Sequence, residues 1–321
     1  MGTAVTRRAA GADSPLAAVL RATDEELRPD AAEVAEAEGR ANRLIAELHR
    51  GGAWMYRVVE IIDHGSMSRG TALRGFRDLD KLVVLDPQAL LTTRGTPRTP
   101  RDTIQRMAGA IESRRQGLVN QGTIVVRAQD HSVGVEYPAT GFRIDLVPAV
   151  REQGRLLIPE HGSDRWIPTD PATTKSRLTR AKQLAPHAGI VVRLLKGWRR
   201  ARGQHAPLRS FAVETLVVDA VLSRPDTLDG LVYNFFAEIA GQPANRRLAL
   251  GAGTASRAPV VVVDPVSGGN LASDLRASHR VALIRAGRVA VEQLSEIEAL
   301  AEAGQARSAL SGSRRLFVGR H

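Results

Sequence analysis

Apolar residues in the first fifty positions recur at the three- and four-residue intervals of an amphipathic helix. They begin after Pro15, continue to about Arg50, and comprise Leu16, Val19, Leu20, Ala32, Val34, Ala37, Ala41, Leu44, Ile45 and Leu48. Pro29 lies inside this series, and a proline in a helix removes a hydrogen bond and clashes with the preceding turn. We therefore predict two helices, or one kinked helix, in this segment. Residues 1–13 are small, polar and basic, and we predict that they are disordered.

The pattern changes to short extended runs between residues 58 and 148. Strand character is found in five runs, at Val58–Ile62, Leu82–Leu85, Thr123–Ala128, Ser132–Tyr137 and Phe142–Pro148. The third and fourth runs are separated by three residues, which is typical of a β-hairpin. Residues 102–117 have helical spacing. The segments 92–101 and 151–174 are rich in proline and glycine, and we predict that they are loops.

Helical spacing dominates after Thr174. The predicted helices cover residues 175–184, 187–202, 210–223, 229–239 and 277–303, and one extended piece, Pro259–Pro265, interrupts them. The fold class is therefore predicted to be α+β, with a mixed sheet and helices followed by a mainly helical part. We place the first lobe, including the N-terminal helices, at residues 14–172 and the helical lobe at residues 173–321.

The stretch from His64 to Pro87 carries the strongest chemical signal. Asp78 and Asp80 lead directly into the apolar run at Leu82–Leu85, and residues two apart on a strand point to the same side. Two carboxylates held this close repel each other unless a cation lies between them. Oxygen ligands of this kind suit Mg²⁺. Gly65-Ser66, separated from Asp78 by eleven residues, offers backbone N–H groups and a hydroxyl that could hold phosphates.

Asp145 is the third candidate carboxylate, because it lies inside the apolar run at Phe142–Pro148. An acidic side chain in such a run is unfavourable to bury unless it is paired or bound to a metal. The alternation of the strand places Arg143, Asp145 and Val147 on one face. Two interpretations stay open. Asp145 either completes a two-metal site with Asp78 and Asp80, or it forms an ordinary ion pair with Arg143 or another arginine.

Composition and charge exclude some kinds of site and favour some locations of the protein. The chain has no cysteine, which excludes disulfides and thiolate zinc sites and favours a cytoplasmic protein. No run of eighteen apolar residues is present, so we predict no membrane span. The formal charge of +11 is compatible with binding of polyanions, and equally with an arginine-rich surface, since the basic residues are scattered.

Four segments together resemble the cGAS/DncV-like nucleotidyltransferases, which belong to the polymerase-beta superfamily and are related to the oligoadenylate synthetases. The segments are GSMSRGTALRGFRDLD at 65–80, FRIDLVPA at 142–149, LLKGW at 194–198 and SFAVETL at 210–216. The resemblance implies a polymerase-beta-like core and a mainly helical C-terminal lobe, with the active site in a cleft between them.

The resemblance also implies roles for individual residues. Asp78, Asp80 and Asp145 would be catalytic ligands of two Mg²⁺ ions, for which Mn²⁺ can substitute, and Asp145 would also activate the acceptor hydroxyl. Gly65 and Ser66 would hold the donor triphosphate from one lobe, and Lys196 and Ser210 from the other. Ser210 also precedes a helical run, where it is a natural N-cap.

The function implied by the resemblance is synthesis of a cyclic di- or oligonucleotide second messenger from nucleoside triphosphates, in bacterial antiphage defence, with a product-activated effector protein as partner. Activation by DNA through a zinc ribbon is excluded because the chain lacks cysteine, and no nucleic acid is expected to be required. Two alternatives stay open. One is an RNA-directed enzyme of the CCA-adding or linear oligoadenylate type, and the other is a non-catalytic nucleotide-binding protein that keeps the fold.

Overall fold

The computed structural model describes residues 14–50, 57–91, 95, 96, 98–115, 123–160, 163–241 and 260–319. The side chains of residues 47–50 and 89 are outside that description, as is the segment 1–13 that the sequence predicts to be disordered. Within the described residues, no helix combines the length and the apolar character that crossing a lipid bilayer requires.

The described residues form ten α-helices and seven strands, with short 3₁₀ turns at Pro87–Leu90 and Gly203–His205. The helices are α1 (Pro15–Leu27), α2 (Ala31–Arg50), α3 (Gly65–Ser68), α4 (Pro100–Ser113), α5 (Pro171–Leu184), α6 (Ala188–Arg202), α7 (Ser210–Ser223), α8 (Leu228–Ile239), α9 (Ala277–Glu302) and α10 (Ala306–Phe317). The strands are β1 (Val58–Asp63), β2 (Asp78–Leu85), β3 (Val125–Ala128), β4 (Val133–Tyr137), β5 (Phe142–Glu152), β6 (Arg155–Pro159) and β7 (Trp166–Thr169).

The strands form one mixed sheet. Five of them follow the order β1-β2-β5-β4-β3, and β6 pairs with the end of β5 and with β7. Only the β2–β5 pairing is parallel among the described strands, and the others are antiparallel. The predicted strands and the hairpin of β3 and β4 are confirmed, as is the division of the N-terminal helical segment near Pro29.

The prediction of a loop over residues 151–174 was wrong. This segment contains the end of β5, both strands β6 and β7, and the start of α5. The prolines that suggested a loop lie at strand positions where they are tolerated, Pro159 at the end of β6 and Pro168 in β7, whose only partner among the described strands is β6. Helix α10 was also missed, because its run of small and basic residues weakens the apolar pattern.

The two faces of the sheet differ in character. One face packs against α2 and α4 through a large apolar cluster that includes Leu79, Val83, Ile144 and Leu146. The opposite face carries a second apolar cluster of Leu82, Val84, Val147, Ala149 and Leu156. Asp78 and Asp80 precede Leu82 on that second face, so the polar positions lie at the end of an apolar surface.

The helical residues pack around Trp198, which is fully buried against Phe235 and Phe236, with Phe236 stacked on Phe317. Gly197 explains part of the LLKGW segment. A Cβ atom at this position would lie 2.5 Å from the backbone oxygen of Phe317. The glycine therefore permits the close approach of α6 to the end of α10.

The chain divides into two compact units. The mainly helical unit contains α1, Ala181–Val262 and the residues from Asn270 onward, and the sheet unit contains Arg28–Arg180 and Val263–Gly269. The sequence-based division placed α1 in the first lobe, whereas the structure places it in the helical unit. Helix α1 packs against α6, α9 and α10 of the helical unit. Its Asp24 carboxylate also accepts hydrogen bonds from Nε and Nη2 of Arg193 at 2.7 and 2.8 Å.

Candidate active site

The parallel pairing of β2 with β5 brings the three predicted aspartates to one face of the sheet. Asp80 lies opposite Asp145 in the register, and Asp78 lies opposite Arg143. Because alternate residues of a strand share a face, Asp78 and Asp80 point to the same side as Asp145. Asp78 is exposed, Asp80 is partly exposed and Asp145 is buried. The three carboxylates therefore form one patch, in which exposure to solvent decreases from Asp78 to Asp145.

Asp145 is held by two neighbours. The Arg143 side chain places Nε 3.0 Å and Nη2 2.9 Å from Oδ2 of Asp145. Gln129 donates from Nε2 to the other oxygen, Oδ1, at 3.4 Å. Gly134 is the register partner of Asp145 on β4, and a Cβ atom there would lie 2.4 Å from Nε2 of Gln129, so the missing side chain makes room for the amide. The sequence-based alternative that Asp145 pairs with Arg143 thus describes the contacts seen here.

Burial and mutual repulsion disfavour negative charge at this site. The pKa of Asp80 is raised to about 6, first by burial and then by the charges of Asp78 and Asp145, with Arg69 and Arg143 acting in the opposite direction. Burial also raises the pKa of Asp145, against the lowering effect of Arg143. The raised pKa values of Asp80 and Asp145 indicate a site that favours the binding of additional positive charge.

The donor set fits the two divalent cations that the sequence predicts, although the side chains are not arranged around one. Among the described residues, no three His, Asp or Glu side chains stand close enough together to hold a metal ion as they are. The donors are nevertheless all carboxylate oxygens, which suit Mg²⁺, and their shared repulsion is the kind that a cation relieves. At Asp145, the Arg143 guanidinium supplies part of the positive charge that a cation would otherwise provide. The two-magnesium site accordingly stays a prediction.

Gly65 lies directly against Asp80. It opens the short helix α3 with a φ of +73°, and the backbone N–H of His64 donates to the Asp80 carbonyl oxygen at 3.2 Å. A Cβ atom at Gly65 would lie 1.9 Å from Oδ2 of Asp80 and 2.8 Å from its Cγ. Only a glycine therefore fits beside the Asp80 carboxylate at position 65. Ser66 is the next residue of α3.

We expect Gly65→Ala to reduce turnover on the order of 100-fold, because the new methyl group must displace the Asp80 carboxylate and small misplacements of catalytic groups have effects of this size. Gly75→Ala is the matched control. Gly75 also has a positive φ, +70°, but a Cβ atom there meets nothing within 4 Å. Both variants should lose about 1–2 kcal/mol of stability from backbone strain. Equal activities of the two variants, measured on nucleoside triphosphates, would remove the special role of Gly65.

Lys196 and Ser210 lie in the helical unit. Lys196 Nζ donates to Oε2 of Glu214 at 2.7 Å, and both side chains are buried. Ser210 is the first residue of α7 rather than its N-cap. Arg209 is the N-cap, with an extended backbone and no side-chain cap hydrogen bond. The N-cap prediction for Ser210 was wrong by one position, and the Ser210 hydroxyl instead lies 3.2 Å from Nη1 of Arg199.

Sequence reasoning did not assign Gln129, Glu214 or Lys182 to a site. Gln129 contacts Asp145, and Glu214 neutralises Lys196. Burial lowers the pKa of Lys182. The charge of Arg193 lowers it further, and the charge of Glu214 raises it. Of these three residues, only Glu214 could have been identified from the sequence. An acidic residue between the apolar positions of SFAVETL predicts a buried charge that requires a partner.

The Second Messenger Oligonucleotide or Dinucleotide Synthetase (SMODS) domain matches residues 17–181, just over half of the chain. A relative, the cyclic AMP-AMP-AMP synthase of Escherichia coli (strain MS 115-1), is 28% identical over 177 residues. That alignment covers 53% of this chain and 50% of the relative, so the chain spans about half the length of that protein.

Solved structures share the fold across almost the whole chain. CdnC of E. coli MS115-1, solved with ATP, has a TM-score of 0.71 at 20% identity and covers 94% of this chain and 96% of its own. The CD-NTase CdnG of Bradyrhizobium diazoefficiens, solved with GTP, has a TM-score of 0.66 at 17% identity, with 96% of both chains covered. The cyclic AMP-GMP synthase DncV of Vibrio cholerae has a TM-score of 0.61 at 13% identity, with 95% and 88% covered. The α+β fold with a nucleotidyltransferase core is therefore confirmed, and the chain belongs to the SMODS family of cGAS/DncV-like nucleotidyltransferases.

Proposed function

We propose that this protein is a nucleotidyltransferase that makes a cyclic di- or oligonucleotide second messenger from nucleoside triphosphates. The observation that carries the proposal is the parallel register of β2 and β5, which pairs Asp80 with Asp145 and leaves Asp78 on the same face. Gly65 closes against Asp80 from the preceding segment. The family supplies the reaction class, and the shared face of the three carboxylates supports their assignment to the catalytic site.

Asp78, Asp80 and Asp145 would hold two Mg²⁺ ions, for which Mn²⁺ can substitute. When bound, such ions neutralise phosphate charge and lower the pKa of an attacking hydroxyl. The aspartates would fix the position of this charge, and Asp145 would accept the proton of the acceptor hydroxyl. The apolar residues that continue this face, including Leu82 and Val147, lower the local dielectric and strengthen these interactions.

We further propose that Gly65, Ser66, Lys196 and Ser210 bind the donor triphosphate. Ser66 is partly exposed and follows Gly65, which lies against Asp80, and this neighbourhood supports a phosphate-binding role for its hydroxyl. Lys196 contributes a positive charge that Glu214 shares, and Arg199 lies beside the Ser210 hydroxyl. Phosphoryl transfer depends mainly on such positioning and charge neutralisation.

Several relatives support the substrate class and the biological setting of the proposal. The E. coli relative is a cyclic AMP-AMP-AMP synthase, and related structures contain ATP or GTP. CdnC was also solved in a complex with HORMA-deltaN, which makes a protein partner a reasonable proposal for this chain. A product-activated effector, a role in antiphage defence and a cytoplasmic location complete the proposal.

The product formed without nucleic acid tests the proposed function. Purified protein should convert labelled nucleoside triphosphates, with Mg²⁺ or Mn²⁺, to a small species that resists alkaline phosphatase, because ring closure consumes every terminal phosphate. Nuclease P1 should cut the 3′–5′ linkages of that species and spare any 2′–5′ bond. Chromatography against cyclic standards then gives the bases and the ring size.

Other products would identify the alternatives. Label that appears only in added tRNA would overturn the cyclase proposal in favour of an RNA-directed enzyme. A phosphatase-sensitive ladder would indicate a linear oligonucleotide synthetase. Triphosphates that bind without turnover, under conditions in which HORMA-type proteins and phage extracts have also been supplied, would favour a non-catalytic nucleotide-binding protein.

A further inference from the structure

Arg143 occupies the coordination space of the most buried aspartate in the candidate active site. Its Nε and Nη2 atoms lie 3.0 and 2.9 Å from Oδ2 of Asp145, and Gln129 donates to Oδ1. Both oxygens that a cation would use are thus contacted by N–H donors. A divalent cation can bind Oδ2 of Asp145 only if the guanidinium moves away.

The position of Arg143 across the sheet makes it the local counter-charge. Asp78 lies opposite it on β2, and Glu136 lies opposite it on β4. Glu136 has its own cation, because Arg127 Nε lies 3.4 Å from its Oε2. The charge of Arg143 is therefore available to the aspartates, and it lowers the pKa of both Asp80 and Asp145.

Arg143 also has space to move into. Its side chain is 40% exposed, whereas the Asp145 side chain is only 10% exposed. It lines a cavity of about 380 Å³ together with Arg77, Asp78 and Glu136. A long side chain at the edge of such a cavity can change rotamer without disturbing the strand that carries it.

We propose that Arg143 is the resident counter-charge of the aspartate site, holding Asp145 in the metal-free protein and moving into the neighbouring cavity when a divalent cation binds. This rests on the proposed function, because the cation is part of it. Arg143 acts through Asp145 and is therefore a positioning residue. This role can be measured, because competition by the Arg143 guanidinium raises the cation concentration that is needed to fill the site.

Mn²⁺ titration of the nucleotide-free protein, followed by electron paramagnetic resonance at physiological ionic strength, tests the proposal without any turnover. We expect Arg143→Gln and Arg143→Ala to bind Mn²⁺ about three- to tenfold more tightly than the wild type, in keeping with the strength of a partly exposed ion pair. The matched control is Arg151→Gln, which removes the same charge from the same strand but from an exposed pair with Glu60. Its affinity should stay within about twofold, because salt screens the longer distance.

Asp80→Asn identifies the site, since Mn²⁺ bound at the aspartates must be lost in that variant. If the wild type binds Mn²⁺ and Arg143→Gln leaves the affinity unchanged or weaker, the role of Arg143 is overturned. The proposed function would stay intact. Binding seen only after Arg143 is replaced would support it most strongly. Absence of binding in every variant would overturn both the metal site and this inference.

A purely structural role would give a different result. Arg143→Ala would then lower the melting temperature in chelator while leaving the Mn²⁺ affinity unchanged. Arg143→Gln keeps a donor for Asp145, so it remains informative if the alanine variant does not fold. Thermal unfolding of both variants in chelator, beside the titrations, separates the two roles.

Discussion

Asp80→Asn should abolish nucleotide turnover while the protein remains folded. Asp80 lies opposite Asp145 and touches the Gly65 segment, and burial raises its pKa to about 6. The amide keeps the shape of the side chain but loses the charge on which cation binding and phosphoryl transfer depend. We expect the rate to fall at least about 1000-fold, as when a charge-stabilising group is removed from an active site. Product formation from labelled triphosphates measures the effect.

The same substitution should stabilise the metal-free protein, and the gain should depend on pH. The pKa of Asp80 in the folded protein, about 6, lies above the ordinary 3.8, so folding favours the protonated carboxyl. Stability is therefore lost as pH rises between those two values, and the loss is complete above about pH 6. It amounts to about 3 kcal/mol at most, because each pH unit is equivalent to about 1.4 kcal/mol. Asp80→Asn should thus be more stable than the wild type at pH 7.5 in chelator and equally stable at pH 3.5.

Glu60→Gln is the control for both measurements. Glu60 is a carboxylate on β1 of the same sheet, but it forms an exposed ion pair with Arg151 at 2.7 Å. Exposed pairs contribute about 0–1 kcal/mol, so this variant should keep both turnover and its pH profile. Wild-type turnover by Asp80→Asn would remove Asp80 from the catalytic site. An unchanged pH dependence would show that its carboxyl is not destabilised in the folded state.

The arrangement of the aspartates was accessible from the sequence because strand periodicity is local. The alternation that places Asp78 with Asp80, and Arg143 with Asp145, needs only an extended backbone. The pairing of β2 with β5 depends on residues about 65 positions apart, and no local pattern contains it. The family resemblance provided that link. The contacts of Asp145 could be narrowed only to two possibilities, since metal binding and an arginine pair both satisfy a buried carboxylate.

Two of the errors arise from tertiary context, which no local pattern contains. Pro159 and Pro168 suggest a loop from sequence alone. In the fold, Pro159 ends β6, and Pro168 lies in β7, which pairs only with β6 among the described strands. Helix α1 is next to α2 in sequence, yet it packs against α6, α9 and α10 of the helical unit, and its Asp24 pairs with Arg193, 169 residues away. Ser210 differs from an N-cap by one residue, which is within the usual uncertainty of helix boundaries read from sequence.

Lys196→Met should lower the free energy of unfolding by about 3–5 kcal/mol, because it leaves Glu214 buried without its main partner. The Lys196 and Glu214 side chains are only 4% and 2% exposed and are joined at 2.7 Å. The double variant Lys196→Met, Glu214→Met should recover most of the loss, since apolar side chains can replace a buried ion pair at little cost. Arg209→Met is the control, because its 3.2 Å pair with Asp274 is half exposed and should contribute at most about 1 kcal/mol.

The recovered double variant then allows the phosphate-binding role of Lys196 to be measured apart from its structural role. If the lysine also contacts the donor triphosphate, triphosphate binding should weaken by about 1–3 kcal/mol in the stable double variant, the usual loss of a charge-assisted contact. Isothermal titration with a non-hydrolysable triphosphate, beside urea unfolding of all four proteins, gives both quantities. Wild-type affinity in the double variant would assign Lys196 to the fold of the helical unit alone. A stability loss below about 1 kcal/mol in Lys196→Met would contradict the buried pair itself, because a desolvated carboxylate cannot lose its ammonium partner at so small a cost.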